Sequence, residues 1–463
     1  MKKPRGKSTR DGMSRRRFLR NGMILGAAGL GPLAAPAVLR AQSKAGTVRV
    51  WGEPGPYAGV AVEGMNEWAK QNAPGLTFTI ETLSWTDVYP KLMTDIAAGR
   101  PASCISVESP IAFQLMAEGL LAPVDDVIEK IGRHRMIPGA KWEYWGAWKG
   151  KQYVVPAHHQ SHLLVVRTDI LKEAGVTTPV EKWTWNDLLA AAKTVKEKTK
   201  LFGICLALGR TIATDYHLAG LLHSAGGRMF DVKSKFTVAF DSPASIETFE
   251  FMSELYPYMP PGALGYTFLD VVDSMATGQS AIVFYWGRVF GRAAEVNPKV
   301  FENMEAYQHA AHPKTGKRLN WNDFQGWAIP KDNNPYVNEV KAALAYYLTH
   351  KDWPIRYVHS LVPNVSPVFQ DVAQDPRLTT HAFFKTKRRT IFEYYTEALK
   401  NASNSGNELL EGINPLAGIV HGRGILAQGI QKVLIDKWSS KNAVKWVAGE
   451  LEQVRREHIR LLV

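Results

Sequence analysis

At 463 residues, with 45% hydrophobic and 10% aromatic residues, the chain is too long for one ordinary domain and has apolar surface enough for at least two packed cores. Its formal charge of +13 would point to nucleic acid or a membrane surface. However, ten of the Lys/Arg fall within residues 1–41 against the single acid Asp11, and beyond them 46 Lys/Arg face 42 Asp/Glu, a net of +4, which removes the electrostatic case for a nucleic-acid partner. Two cysteines, Cys104 and Cys205, are too few for a disulfide scaffold and have no metal-binding spacing, although they suit an oxidising compartment if they pair or stay buried.

In chain order, Ser14-Arg15-Arg16-Arg17-Phe18-Leu19-Arg20 places a consecutive arginine pair before Phe-Leu, ahead of a weakly apolar stretch over 23–39. Such a pattern reads as a twin-arginine export signal. Gly22, Gly26, Gly29, Gly31, Pro32 and Pro36 dilute that stretch below the hydrophobicity of a membrane span. Cleavage is expected near Ala41, leaving a soluble periplasmic protein with no lipid anchor, because no cysteine lies near the cut site.

The spacing after the signal predicts a strand over 47–51, a helix over 57–71 and a strand over 76–83, a β-α-β unit that begins a parallel sheet. A helix over 88–98 stops at Gly99-Arg100-Pro101; residues 104–107 read as a buried strand and 111–119 as a helix. Strand-like 153–156 and 163–166 lead to a helix over 185–196 and a strand over 202–208, entry into a second lobe of an α/β protein.

Several segments now carry a family resemblance. Val50-Trp51-Gly52 opens the series, followed by Trp85-Thr86-Asp87-Val88-Tyr89-Pro90-Lys91-Leu92 and Ala117-Glu118-Gly119-Leu120-Leu121-Ala122-Pro123. Tyr153-Val154-Val155-Pro156, Trp183-Thr184-Trp185-Asn186-Asp187-Leu188, Met275-Ala276-Thr277-Gly278-Gln279 and Gly326-Trp327-Ala328-Ile329-Pro330-Lys331 continue it. In order and spacing the chain resembles the extracellular solute-binding proteins of carbohydrate-uptake ABC transporters, the maltose-binding-protein-like group. It departs from them at Pro101-Ala102-Ser103-Cys104, where the group usually has Pro-Asp, at Val166-Arg167, and over 310–323.

The resemblance implies a two-lobed α/β periplasmic-binding-protein fold, with residues 46–155 and 321–355 in lobe 1, 156–320 and 356–463 in lobe 2, and crossovers near 155–158 and 320–324. It also implies a monomer that closes on a small-molecule ligand and delivers it to permease subunits in the inner membrane, with no cofactor and no catalysis.

A sugar presents apolar C–H faces and a rim of hydroxyls, so its receptor needs aromatic platforms and polar acceptors, and in such lobes ligands sit beyond the carboxyl ends of the strands. Trp51, Tyr57, Trp85, Trp286 and Trp321 stand at strand ends or loops of the pattern. Glu53, Glu108 and Asp323 are the acids placed to accept hydroxyls, and Arg288 could instead hold a carboxylate, sulfonate or phosphate. By resemblance, Tyr216 takes the place of an aromatic ligand contact. His158 and His159, in His158-His159-Gln160-Ser161-His162, fall in the crossover, where cleft contact outweighs a metal site. Trp183 and Trp185 read as packing at a helix start.

Enzyme motifs fail on inspection. Leu222 stands where His223-Ser224-Ala225-Gly226 would need a glycine to make a nucleophile elbow. Gly146-Ala147-Trp148-Lys149-Gly150-Lys151 lacks the length and the hydroxyl residue of a phosphate loop, and Gly422-Arg423-Gly424 has no strand before it. Two alternatives remain: the same fold binding an anionic or other non-sugar solute, and an enzyme exported by the twin-arginine route.

Overall fold

The computed structural model describes residues 45–53, 55–138 and 141–462; the segment read as an export signal and the side chain of Trp85 lie outside the described part. β1 (Gly46–Gly52), α1 (Pro56–Asn72) and β2 (Leu76–Thr82) form the expected β-α-β unit, the two strands parallel with Thr47 opposite Thr77 and Trp51 opposite Glu81. Proline at the start of α1 supplies a preset φ where the helix has no amide bond to lose. α2 (Trp85–Ala97) returns the chain to β3 (Cys104–Glu108), which lies parallel to β1 and is buried at every residue, as a strand covered on both faces must be. α3 (Ser109–Ala117) follows directly.

β4 (Val154–Ser161) and β5 (Leu163–Arg167) come next, then α4 (Trp185–Lys198), which opens on a capping box between Thr184 and Asp187. Trp183 and Trp185 are buried there, Trp185 stacking on Phe251 with centroids 4.4 Å apart. The strand expected over 202–208 is reduced to isolated bridges, Phe202 to Ser280 and Cys205 to Val283. α5 (Ile212–Ser224), α6 (Phe268–Ala276), β6 (Ile282–Tyr285), α7 (Arg288–Val296) and β7 (Met304–Tyr307) complete the second lobe's frame, with β6 and β7 antiparallel to β5.

Strand alternation sorts this small sheet's side chains into two layers. Leu164, Val166, Ile282 and Phe284 join one apolar cluster, and Leu163, Val165, Val283 and Tyr285 join another on the opposite face. The first lobe has its own cluster, from Val48 and Val50 through Ile105 and Val107.

β8 (Asn320–Ala328) ties the lobes together. It pairs antiparallel with both β3 and β4 and parallel with β9 (Ala402–Ser403). Trp321 packs in a second-lobe cluster, whereas Phe324, Trp327 and Ala328 pack in the first, so the strand changes lobes between 321 and 324. β4 and β5 change over between Ala157 and Leu163, a few residues later than 155–158. Tyr357, Val365, Phe369 and Leu378, from the 356–463 stretch expected in lobe 2, pack in the first-lobe cluster, because α8 (Val337–Thr349) and α9 (Trp353–His359) lie against α1, whereas Leu416, Ile430 and Val447 further on pack in the second lobe. Cys104 and Cys205 are both buried and unpaired, and burial pushes the Cys205 thiol up to about 12. Among the described residues no helix is long and apolar enough to cross a membrane.

Candidate ligand-binding cleft

Three parallel strands deliver the first wall. Glu53 follows the end of β1, Ser84 follows β2, and Glu108 is the last residue of β3, so all three lie at carboxyl ends, where the strands stop and α/β lobes leave a crevice. The second lobe supplies Tyr216 from α5, Thr267 and Phe268 from the start of α6, and Tyr285, Trp286 and Arg288 from the turn between β6 and α7. Gln160 and Asp323 come from the crossover strands, facing each other in register, and together with Leu269 and Asn364 these groups enclose a cavity of about 260 Å3.

Side-chain amides hold the acids in place. Gln160 Nε2 and Gln325 Nε2 both donate to Asp323 Oδ2, at 3.0 and 2.6 Å, while Asn364 Nδ2 donates to Gln160 Oε1 at 2.6 Å. The Tyr216 hydroxyl donates to Glu108, and the Arg288 guanidinium reaches Glu53 Oε1 at 3.3 Å. Burial and the neighbouring carboxylates raise Glu108 well above the usual carboxylate range, and burial pushes Asp323 up to about 7.

Gly287 makes this turn possible in a way that its backbone angles do not reveal. Its φ of −58° is open to any residue, but a Cβ there would lie 2.5 Å from the Asn364 backbone nitrogen. The close approach lets Arg288 N donate to Asn364 Oδ1 at 3.0 Å.

Of the residues singled out from sequence, Glu53, Glu108, Tyr216, Trp286, Arg288 and Asp323 line the cavity. The others are placed differently. Trp321 is fully buried beneath Tyr216, the rings stacked 3.9 Å apart. Trp51 is part of the first-lobe core, and Tyr57 packs on His158 and Tyr357 at centroid distances of 5.3 and 5.7 Å. His158 Nδ1 is 2.8 Å from the Tyr357 hydroxyl, and His159 is fully buried and pairs through its backbone with Ser366, so both lie inside the fold and outside the cavity lining. Burial pushes both down to about 3. His162 lies apart from them, packed against His217, His309 and Trp286 at 4.7, 5.4 and 4.6 Å.

Sequence reasoning missed Ser84, Gln160, Thr267, Phe268, Leu269, Tyr285 and Asn364. Only Thr267 had a usable signal, since Thr-x-x-Asp before an apolar run marks a helix start, and Thr267 and Asp270 form that capping box. One further constellation has the order of a hydrolase relay: Ser405 Oγ meets His421 Nε2, and His421 Nδ1 meets Asp215 Oδ2 at 2.9 Å. Ser405 is fully buried, and the relay fastens the 402–407 loop to α5.

Two lobes, each with its own core, with a polar and aromatic cavity at their crossover strands, define the two-lobed fold of periplasmic binding proteins. The chain belongs to the family of bacterial extracellular solute-binding proteins, whose match covers residues 55–352. It is 27% identical over 250 residues to a probable amino-acid ABC transporter periplasmic-binding protein of Sinorhizobium fredii, a match spanning 52% of this chain and 56% of that protein. It is 21% identical to the mannitol-binding protein of Pseudomonas aeruginosa, over 63% of this chain and 66% of that one. Among solved structures, a maltose-bound protein of T. maritima superposes with a TM-score of 0.74 at 18% identity, covering 88% of this chain and 99% of that one. A solute-binding protein of Agrobacterium vitis with bound D-mannitol superposes with a TM-score of 0.71 at 21% identity, covering 89% and 98%.

Proposed function

We propose that the chain is the exported substrate-binding component of an ABC importer. It captures one small polar solute, a sugar, polyol or derivative, closes on it, and presents the closed form to permease subunits in the inner membrane without catalysing a reaction. It reaches the periplasm through the twin-arginine signal, cut near Ala41, and acts as a monomer.

The observation that carries this reading is the cavity itself, where Trp286 and Tyr216 stand beside Glu108, Asp323 and Gln160. Flat apolar faces ringed by acceptors and amides match a sugar or polyol. Its volume of about 260 Å3 lies just under the roughly 300–1,000 Å3 of pockets for drug-sized ligands, which favours a monosaccharide or hexitol over a longer chain. Mannitol in the name of the Pseudomonas relative and in the Agrobacterium structure supports the same size class. The anionic alternative loses ground, because Arg288 is already engaged by Glu53 and three carboxylates share its cavity.

The mechanism is a shift of equilibrium: contacts from both lobes stabilise the closed form, and only their difference between open and closed can drive closure. A thermal-shift screen of sugars, polyols, amino acids and organic acids, followed by small-angle scattering, tests it. The expected ligand stabilises the protein by roughly 2.7 kcal/mol at a hundred times its Kd and lowers the radius of gyration together. A stabilising ligand that leaves the radius unchanged would sink closure, and stabilisation confined to organic acids would sink the carbohydrate class.

A further inference from the structure

Three carboxyl groups share the cavity with one guanidinium. Glu53, Glu108 and Asp323 are each no more than 3% exposed, and Arg288, the one cation among the described lining residues, is spent on Glu53. Glu108 and Asp323 receive only neutral donors, the Tyr216 hydroxyl and the amides of Gln160 and Gln325. Two polar atoms of the cavity wall are left over: Asp323 Oδ1 and Trp286 Nε1 are buried with no hydrogen-bond partner in the structure. A neutral sugar can use these acceptors, but it brings no charge that would stabilise the acids in their ionised form.

We propose that the solute selected by this cleft carries a protonated amine, as an amino sugar or amino polyol does, with the ammonium seated between Glu108 and Asp323. The inference deepens the receptor reading above and rests on it. An ammonium offers three donors, one of which meets the open Asp323 oxygen, and its charge stabilises the ionised carboxylates that burial and their own proximity disfavour. Trp286 and Tyr216 line the cavity from the second lobe, and aromatic rings attract a cation.

The titratable and charged groups facing the pair are Glu53 from the end of β1, Tyr216 from α5 and Arg288 from α7, with His158 of β4 close to Arg288. In the empty cleft Glu108 and Asp323 hold protons more tightly than ordinary carboxylates. A cation favours their ionised forms, so binding releases protons and tightens as pH rises towards neutrality.

Calorimetry of the purified protein with matched pairs reads this out: D-glucosamine against D-glucose, and glucamine against D-glucitol, at about pH 5.5 and about pH 7.5 in buffers of different ionisation enthalpy. The amine member is expected to bind at least about tenfold tighter, the measure of one strong charge-assisted contact, and to release protons. The Asp323→Asn and Glu108→Gln variants keep the shape of the site, retain the ligand-free melting temperature within a few degrees or raise it, and lose the amine preference. Equal or tighter binding of the neutral members overturns the inference and leaves the carbohydrate receptor standing, as does an amine preference that survives in both variants. Failure of both amines to bind overturns it too. Tight binding of putrescine exceeding that of the amino polyols would keep the cation and sink the carbohydrate.

Discussion

Trp286 has two duties that a sequence cannot separate. It lines the cavity while only 7% exposed, and its indole packs against His162, Phe268 and Tyr216 at 4.6, 5.5 and 6.1 Å. Trp286→Ala is therefore expected to weaken ligand binding by about 2 kcal/mol or more, as loss of a buried aromatic anchor does, and also to lower the ligand-free melting temperature. Trp286→Phe keeps a flat ring and should recover most of both. Calorimetry and melting curves on the two variants settle the matter; undiminished affinity in a folded Trp286→Ala protein would remove the indole from the site. Other aromatics in the same segments took only the structural duty. Trp321 sits two residues from Asp323 on β8, on the same side of the strand by alternation, yet Tyr216 stacked over it closes it off from the cavity. Which of two neighbouring rings covers the other depends on a helix a hundred residues away in the chain.

At the level of elements, the site is assembled where strands end and helices begin. Glu53 and Glu108 were legible because they follow alternating apolar runs, and carboxyl ends of parallel strands are where α/β crevices open. Asn364 was not legible, since it belongs to a loop that reaches the site only through tertiary contacts, its hydrogen bond to Gln160 and its close approach to Gly287. That contact supplies an element-scale prediction. Gly287→Ala would place a methyl 2.5 Å from the Asn364 nitrogen and push α7 away from the loop. The cost expected is about 1–3 kcal/mol of stability, the usual penalty of overpacking, with reduced ligand affinity as the Arg288 to Asn364 bond is lost. A variant with the wild-type melting temperature and affinity would show that the turn tolerates the methyl and that the glycine has no such role.

For the whole molecule, the lobes have separate cores, and β4, β5 and β8 pass from one to the other within short stretches of chain, as the chain does again between Leu378 and Phe383 and on either side of Ala402. Gly326 lies at the register shift between β8 and β4, where a Cβ would meet the Val155 carbonyl at 2.5 Å. Delivery of the folded protein is a separate whole-chain property. Replacing Arg15 and Arg16 by Lys keeps the charge but removes the planar guanidinium groups, and it should hold the precursor in the cytoplasm. Cell fractionation reads the result, and undiminished periplasmic accumulation would exclude twin-arginine export.

The amino-acid sequence by itself determined the alternation of strands and helices, the β-α-β opening, the family resemblance and half of the cavity-lining candidates it proposed, because periodicity and strand-end position are local properties of the chain. Only the tertiary structure decided that Tyr357, Val365, Phe369 and Leu378 pack with the first lobe while Leu416, Ile430 and Val447 pack with the second, that His158 and His159 are buried in the fold, and that Gln160, itself held by Asn364, braces Asp323. Those outcomes depend on which distant side chains fill the same space, and burial and the field of neighbouring carboxylates, which set the charge of the cleft, exist only once the chain has folded.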